Sequence, residues 1–288
     1  MTEPEAAIRE FVSGGRQRVD GWFARVDAEI FRIILTAQND RGLKGSVAEI
    51  GIHHGKSFIA LCLCLKDDER AYAIDVFEAQ EHNLDSSGKG NRSRFESNLK
   101  KFGVQKDRVT IDTRPSEQVG SSDILDAADP VRFFSVDGGH WAEVVKSDLT
   151  LAESTISEHG VIALDDFHRF EWPEVSKGLW EWEQQKEKDL VPFAIGYNKL
   201  YLCQSSWVGF YQKKCVEDAF VRHFLWKWVT LSGHEIPIFN RFVVPEMGCR
   251  RGTGLYFQSF APGLFVFMMM LKIKSKKIGT SIRSIFKL

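Results

Sequence analysis

Three acids stand at the ends of apolar runs, where a parallel sheet would collect them. Asp137 closes 131–137 (Val-Arg-Phe-Phe-Ser-Val-Asp), and Asp165 with Asp166 closes 161–166 (Val-Ile-Ala-Leu-Asp-Asp). If the two runs are neighbouring strands, the carboxylates converge, and like charges raise one another's pKa unless a cation compensates. Such an oxygen-rich cluster suits a hard divalent ion, Mg²⁺, Ca²⁺ or Mn²⁺, rather than zinc. The alternative is that one acid caps a helix and another pairs with a basic side chain. His140 and His168 follow the same runs and are of the type that takes a proton from a hydroxyl near neutral pH, His140 ranking first.

A second constellation lies earlier. The run 46–50 ends at Gly51, and Gly55 opens the apolar stretch 58–65. Gly51-Ile-His-His-Gly55 is not the dinucleotide fingerprint G-x-G-x-x-G, yet two glycines four apart let a ligand approach the backbone while the next helix offers its first amides. The plainer reading is a pair of turn glycines. Lys56 and Ser57 fall in the first helical turn, where a hydroxyl caps amides or meets a ligand carboxylate. His53 and His54, inside the turn, are expected to line the pocket rather than act as bases. Asp75 closes 71–75 and is placed to accept both hydroxyls of a ribose, unless it serves as a helix cap or loop residue.

Bringing these residues together takes alternating strands and helices. Apolar residues at 19, 22, 23, 26, 30, 33 and 34 predict a helix ahead of the sheet. Strands are expected at 46–50, 71–75, 109–112, 131–137 and 161–165, with helices over 58–65, 92–102, 116–128 and 141–156 between them. That alternation predicts a Rossmann-like, doubly wound α/β fold, with ligands beyond the carboxyl ends of its strands. A helix at 173–188 precedes two runs, 191–195 and 199–203, joined by Gly196-Tyr197-Asn198. They are expected to close a mostly parallel seven-stranded sheet as an antiparallel hairpin. The expected division is N-terminal helices over 1–43, a ligand-binding domain over 44–206 and a helical, aromatic extension over 207–288. Within the extension, Phe220, Val221, Phe224, Leu225, Trp228 and Val229 predict a helix.

Composition sets outer bounds. With 288 residues, 43% hydrophobic and 27% charged, the chain can bury a substantial core, which excludes disordered and collagenous classes. Five cysteines without a C-x-x-C pair give no disulfide framework or structural zinc site, and are expected as free thiols in a reducing cytoplasm. A net charge of −1 offers no global field for nucleic acid, which is not expected as a partner. Residues 272–288 nevertheless carry five Lys, one Arg and no acid. Together with the apolar stretch 264–271, they either lie on an anionic inner-membrane surface or form a helix packed on the domain or in the interface of a homo-oligomer. The apolar stretch is too short to span a bilayer, and the N-terminus lacks a secretory signal. The expected location is cytoplasmic, with peripheral membrane contact through the tail as the other reading.

Taken in order, Glu49-Ile-Gly51-Ile-His-His-Gly55-Lys-Ser57, the Asp75 strand end, Ser-Val-Asp137-Gly-Gly-His140 and Gly-Val-Ile-Ala-Leu-Asp165-Asp166 resemble the class I S-adenosylmethionine-dependent methyltransferases. The likeness spans about residues 44–203 and is greatest to the bacterial macrocin O-methyltransferase-like branch, which acts on small molecules and glycans. The resemblance implies that Glu49, Gly51, Gly55 and Ser57 shape the methionine side of an S-adenosylmethionine site and that Asp75 holds the ribose. It also implies that Asp137, Asp165 and Asp166 bind a divalent cation, Mg²⁺ above all. Some members place a second acid, proposed as the base, two residues after the first metal-binding aspartate. This chain has Gly139 there, which turns attention to His140, with Asp137, as the catalytic pair. The expected function is metal-assisted O-methylation of a hydroxylated small molecule or glycan precursor. The alternatives are oxidative or glycosyl chemistry on a related metal scaffold, or a membrane-associated binding protein without turnover. The polar, glycine-containing loop 78–90 is expected either as a lid over the site or as an ordinary connection.

Overall fold

The computed structural model describes residues 3–83 and 87–240, which belong to one compact unit. Helices α1 (Glu3–Ser13) and α2 (Arg25–Asp40) precede β1 (Ser46–Ile50), α3 (Lys56–Cys62) and β2 (Ala71–Ile74). The alternation continues through α4 (Arg92–Lys101), β3 (Val109–Asp112), α5 (Ser121–Ala127), β4 (Val131–Val136), α6 (Ala142–Thr155), β5 (Ile156–Leu164) and α7 (Pro173–Glu183). A second set follows: β6 (Leu190–Ile195), β7 (Leu200–Gln204), α8 (Val208–Glu217), β8 (Leu225–Leu231) and β9 (His234–Phe239).

Among the described residues the strands form one sheet in the order β3-β2-β1-β4-β5-β7-β6-β9-β8. The first five pair in parallel, and β7 inserts antiparallel between β5 and β6. Every residue of β1, β2 and β4 is buried, the pattern of strands covered on both faces. One face packs on α1, α2, α3, α4 and α8 through residues such as Phe11, Phe31, Phe58, Phe95 and Tyr211. The other packs on α5, α6 and α7 through Ile124, Leu149 and Trp182.

The sheet has nine strands, not the expected seven. Residues 220–229 are not a helix: a 3₁₀ turn at Val221–Phe224 leads into β8, which pairs antiparallel with β9. From Trp228 to Leu231 exposed and partly covered residues alternate, a two-residue period that the helical reading overlooked. The turn carries Ser232 at φ +47° and Gly233 at φ +80°, the paired left-handed conformation of a tight hairpin. Among the described residues no helix is long and apolar enough to cross a membrane. Cys62, Cys64, Cys203 and Cys215 are buried free thiols. The apolar stretch 264–271, the basic tail 272–288 and Cys249 lie outside the described residues, as does most of the expected C-terminal extension.

Candidate active site

Strand order reverses between β1 and β4, and there the carboxyl ends of the strands open a cleft of about 470 Å³. This is the place where an open α/β sheet accepts a ligand. The strand-end residues stay in register with the ladder: the Asp137 N–H donates to the Ile50 carbonyl at 3.0 Å, and the Asp165 N–H to Val136 at 2.9 Å. Gly51 turns the chain away from β1 at φ +83°, and a Cβ there would stand 1.7 Å from the Asp137 carbonyl oxygen. Only glycine permits that approach of the two strand ends.

Asp75 walls one part of the cleft. Its Oδ2 accepts the His53 N–H at 2.6 Å and its Oδ1 the Phe77 N–H at 2.6 Å. The carboxylate lines the cleft, where it can accept a ligand hydroxyl. Burial raises the Asp75 pKa above the ordinary carboxylate value, and the amide hydrogen bonds oppose that rise. Gly51, His53, Lys56, Ser57 and Asp75 line the cleft. Glu49 and Gly55 stand behind its wall. Glu49 is fully buried, which pushes its pKa up to about 7 against the pull of the Lys199 charge. Gly55, at φ +85°, caps α3 beneath the ring of Phe95. The exposed Trp22 stands at the mouth, its ring centroid 5.6 Å from that of His53. Gln80, Asn83, Ser87, Gly88 and Gly90, from the loop expected as a lid, also line the cleft.

The three acids of the other wall converge as expected: one oxygen from each of Asp137, Asp165 and Asp166 lies within 4.8 Å of the others. Strand register alone accounts for this, since β4 and β5 are neighbours. Their surroundings include the basic partner that the alternative reading offered. The Lys199 ammonium lies 2.9 Å from Asp165 Oδ2 and 3.4 Å from Asp137 Oδ2. The Asn198 amide donates to Asp165 Oδ1 at 2.7 Å and to Asp166 Oδ1 at 2.6 Å. His140 Nε2 meets Asp166 Oδ2 at 2.9 Å, and its ring stacks on Trp172 at 4.0 Å and 14°. His168 follows Asp166 into an exposed turn and does not line the cleft. Asp166 and His168 both hold positive φ, +55° and +62°, a strained backbone of the kind that gathers at functional sites.

Electrostatics follow from that packing. Burial, and then the Asp165 charge beside it, hold Asp137 well above the ordinary carboxylate range. Burial works the same way on Asp165, but the Lys199 charge and the hydrogen bonds from Asp137, Lys199 and the Asp166 amide together hold Asp165 below the ordinary value. Lys199 itself, despite the cost of burying its charge, is held well above the ordinary lysine value by Asp137 and Asp165. A divalent ion at the triad would displace donors from oxygens already engaged and would stand against an ammonium. The arrangement does not fit such an ion.

Sequence reasoning missed Lys199, Asn198, Trp172 and Asp27. Asp27 lies on α2, outside the region expected to bind ligand, and is buried. It accepts the Tyr197 N–H at 3.2 Å, the Asn198 N–H at 3.1 Å and the Tyr201 hydroxyl at 2.9 Å. Gly196 makes room for it, since a Cβ there would fall 1.8 Å from Asp27 Oδ1. The available signal was the turn at 196–198. With β7 antiparallel to β5, Leu164 faces Leu200, so Lys199 must sit beside Asp165.

Residues 48–167, from β1 to just past Asp166, match the family model described as a methyltransferase domain. Over that segment the chain is similar to methyltransferase domains. Among solved structures, the O-methyltransferase NovP is similar over 70% of this chain and 97% of its own, with 12% identity and a TM-score of 0.55. At that identity the likeness shows the fold alone. CalS11, a TDP-rhamnose 3′-O-methyltransferase, matches over 70% of this chain and 94% of its own, with 12% identity and a TM-score of 0.47. The Podospora anserina methyltransferase PaMTH1, solved with SAH bound, matches over 71% and 89%, with 16% identity and a TM-score of 0.45. No curated protein sequence matches the chain. Within the matched segment, the ends of β1, β2, β4 and β5 supply Gly51, Asp75, Asp137, Asp165 and Asp166, while residues outside it, Asp27, Trp172, Asn198 and Lys199, complete the site.

Proposed function

We propose that the protein is an S-adenosylmethionine-dependent O-methyltransferase acting on a hydroxylated small molecule, a sugar or glycan precursor among them. The observation that carries this reading is that a single cleft is walled both by Asp75 and by the His140–Asp166 pair. The first is a carboxylate suited to ribose hydroxyls, the second a base held by an acid. Bound S-adenosylmethionine supplies an electrophilic methyl group; the chain has to bind it, place the acceptor in line and manage one proton. Asp75, Gly51 and Ser57 are the residues that hold the cofactor. Asp166 Oδ2, 2.9 Å from His140 Nε2, orients the imidazole as the base that receives the acceptor's proton, with Nδ1 on the opposite edge of the ring. Ser87 Oγ, 3.4 Å from Nδ1, lies on that side of the ring. Trp172 fixes the imidazole plane, and Lys199 balances the acids behind it. NovP, similar in fold, is an O-methyltransferase, in keeping with a hydroxyl acceptor.

The test is calorimetric titration with S-adenosylhomocysteine, followed by an acceptor screen that reads release of the same product. Micromolar binding that weakens about 100-fold or more in Asp75→Ala supports the reading. Absence of binding by the unaltered protein refutes it.

A further inference from the structure

We infer that Lys199 is a built-in cation standing where a divalent metal ion would bridge Asp137 and Asp165, so that the site works without bound Mg²⁺. This deepens the methyl-transfer reading above and rests on it. Three observations carry it. The first is occupancy: Lys199 reaches two oxygens of the triad, Asn198 two and His140 one, so five of the six carboxylate oxygens already meet a donor. Mg²⁺ needs near-octahedral oxygen ligands at about 2.0–2.1 Å, and every protein ligand it took here would first have to release its donor.

The second is burial. The Lys199 side chain is 3% exposed, and an ammonium so enclosed is held only where carboxylates compensate it. The third is that its position is fixed from outside the acidic cluster. Asp27 on α2 binds the two backbone amides preceding Lys199, and the Gly196 N–H closes the turn on the Lys199 carbonyl at 2.8 Å. The backbone is thereby held where the ammonium faces the acids rather than solvent.

Lys199 is thus a positioning residue. It does not reach the acceptor; it holds Asp137 and Asp165 together, and Asn198 ties Asp165 to the Asp166 that orients His140. One positive charge replaces two, and the cation cannot be removed by a chelator.

The experiment is Mn²⁺ titration of the EDTA-treated full chain, read as loss of the free-ion electron paramagnetic resonance signal, beside Lys199→Met. The unaltered protein is expected to take up no stoichiometric Mn²⁺ below about 1 mM, a weak-site concentration. Lys199→Met should gain one site binding about tenfold or more tighter, with Mn²⁺ raising its melting temperature and Asp165→Asn abolishing the gain. Stoichiometric uptake by the unaltered protein at micromolar Mn²⁺ overturns the inference, and so does a folded Lys199→Met that gains no site. Should Lys199→Met not fold, Lys199→Gln takes its place, and the titration of the unaltered protein still decides against the inference if Mn²⁺ binds tightly. No acceptor or cofactor enters these measurements, so their failure is separate from failure of the S-adenosylhomocysteine titration.

Discussion

Asp27 on α2 accepts the backbone N–H of Asn198 at 3.1 Å, so a helix that precedes the sheet fixes the turn that completes the acidic site. The same carboxyl takes the Tyr197 N–H and the Tyr201 hydroxyl, and all three donors lose their partner in Asp27→Ala. The expected loss is about 3 kcal/mol of stability, from buried donors left unsatisfied, read by urea denaturation. S-adenosylhomocysteine affinity should change less, because Asp75 and Gly51 stand on other elements.

Gly51→Ala should be far more costly than an alanine at another glycine of positive φ. At Gly42, φ is +72° and nothing lies within 4 Å of an added Cβ, so Ala there meets backbone strain alone, about 1 kcal/mol. At Gly51 the same strain is joined by overlap with the Asp137 carbonyl, and a loss of about 3 kcal/mol or more is expected. Thermal denaturation of the two variants side by side measures the difference; equal losses would mean that β1 and β4 part without penalty.

His140→Gln keeps a polar side chain beside Asp166 and removes the basic nitrogen. With an acceptor from the screen, kcat should fall by about 100- to 10,000-fold, the usual contribution of a positioned base. S-adenosylhomocysteine affinity should stay within about twofold of the unaltered protein, since its binding residues lie elsewhere in the cleft. An unchanged kcat would remove His140 from the proton transfer. His168→Gln is the matched control and should leave kcat unaltered.

Asp148 gives a dependence of stability on pH. It lies on α6, 1% exposed, against the Gly138 backbone, and burial pushes its pKa from 3.8 up to about 8. The folded protein therefore keeps the proton between those values while the unfolded chain releases it, and this group's contribution to stability falls as pH rises from about 4 to about 8. Asp148→Asn mimics the neutral carboxyl. It should melt several degrees higher than the unaltered protein at pH 8 and at nearly the same temperature at pH 4. A constant difference across that range would show that Asp148 is ionised in the folded state.

Much of this site was legible from strand-end residues because a parallel sheet places them by rule. Each crossover returns the chain to the same edge, so Gly51, Asp75, Asp137, Asp165 and Asp166 were bound to share one border once five strands were recognised. The β8–β9 hairpin was not legible in the same way, because Phe220, Phe224, Trp228 and Val229 also fit a helical spacing, and only pairing with a partner strand separates the two periods. The sequence ranked His140 ahead of His168 without showing what holds either ring. Both follow an acidic strand end, and the turn after β5 carries His168 outward while His140 is held between Asp166 and Trp172.

By itself the sequence determined the alternation of strands and helices, the edge on which the chemistry gathers and the acid types found there, since all three follow from local periodicity and handed crossovers. Tertiary structure alone decided what balances those acids. Lys199 is 62 residues from Asp137 and belongs to a hairpin whose direction against β5 is a matter of long-range pairing. The turn bearing it is pinned by a carboxylate from α2, 171 residues before Asn198. Contacts of that separation leave no local pattern in a chain; they exist only once the sheet has closed and excluded the water that would otherwise solvate the charges.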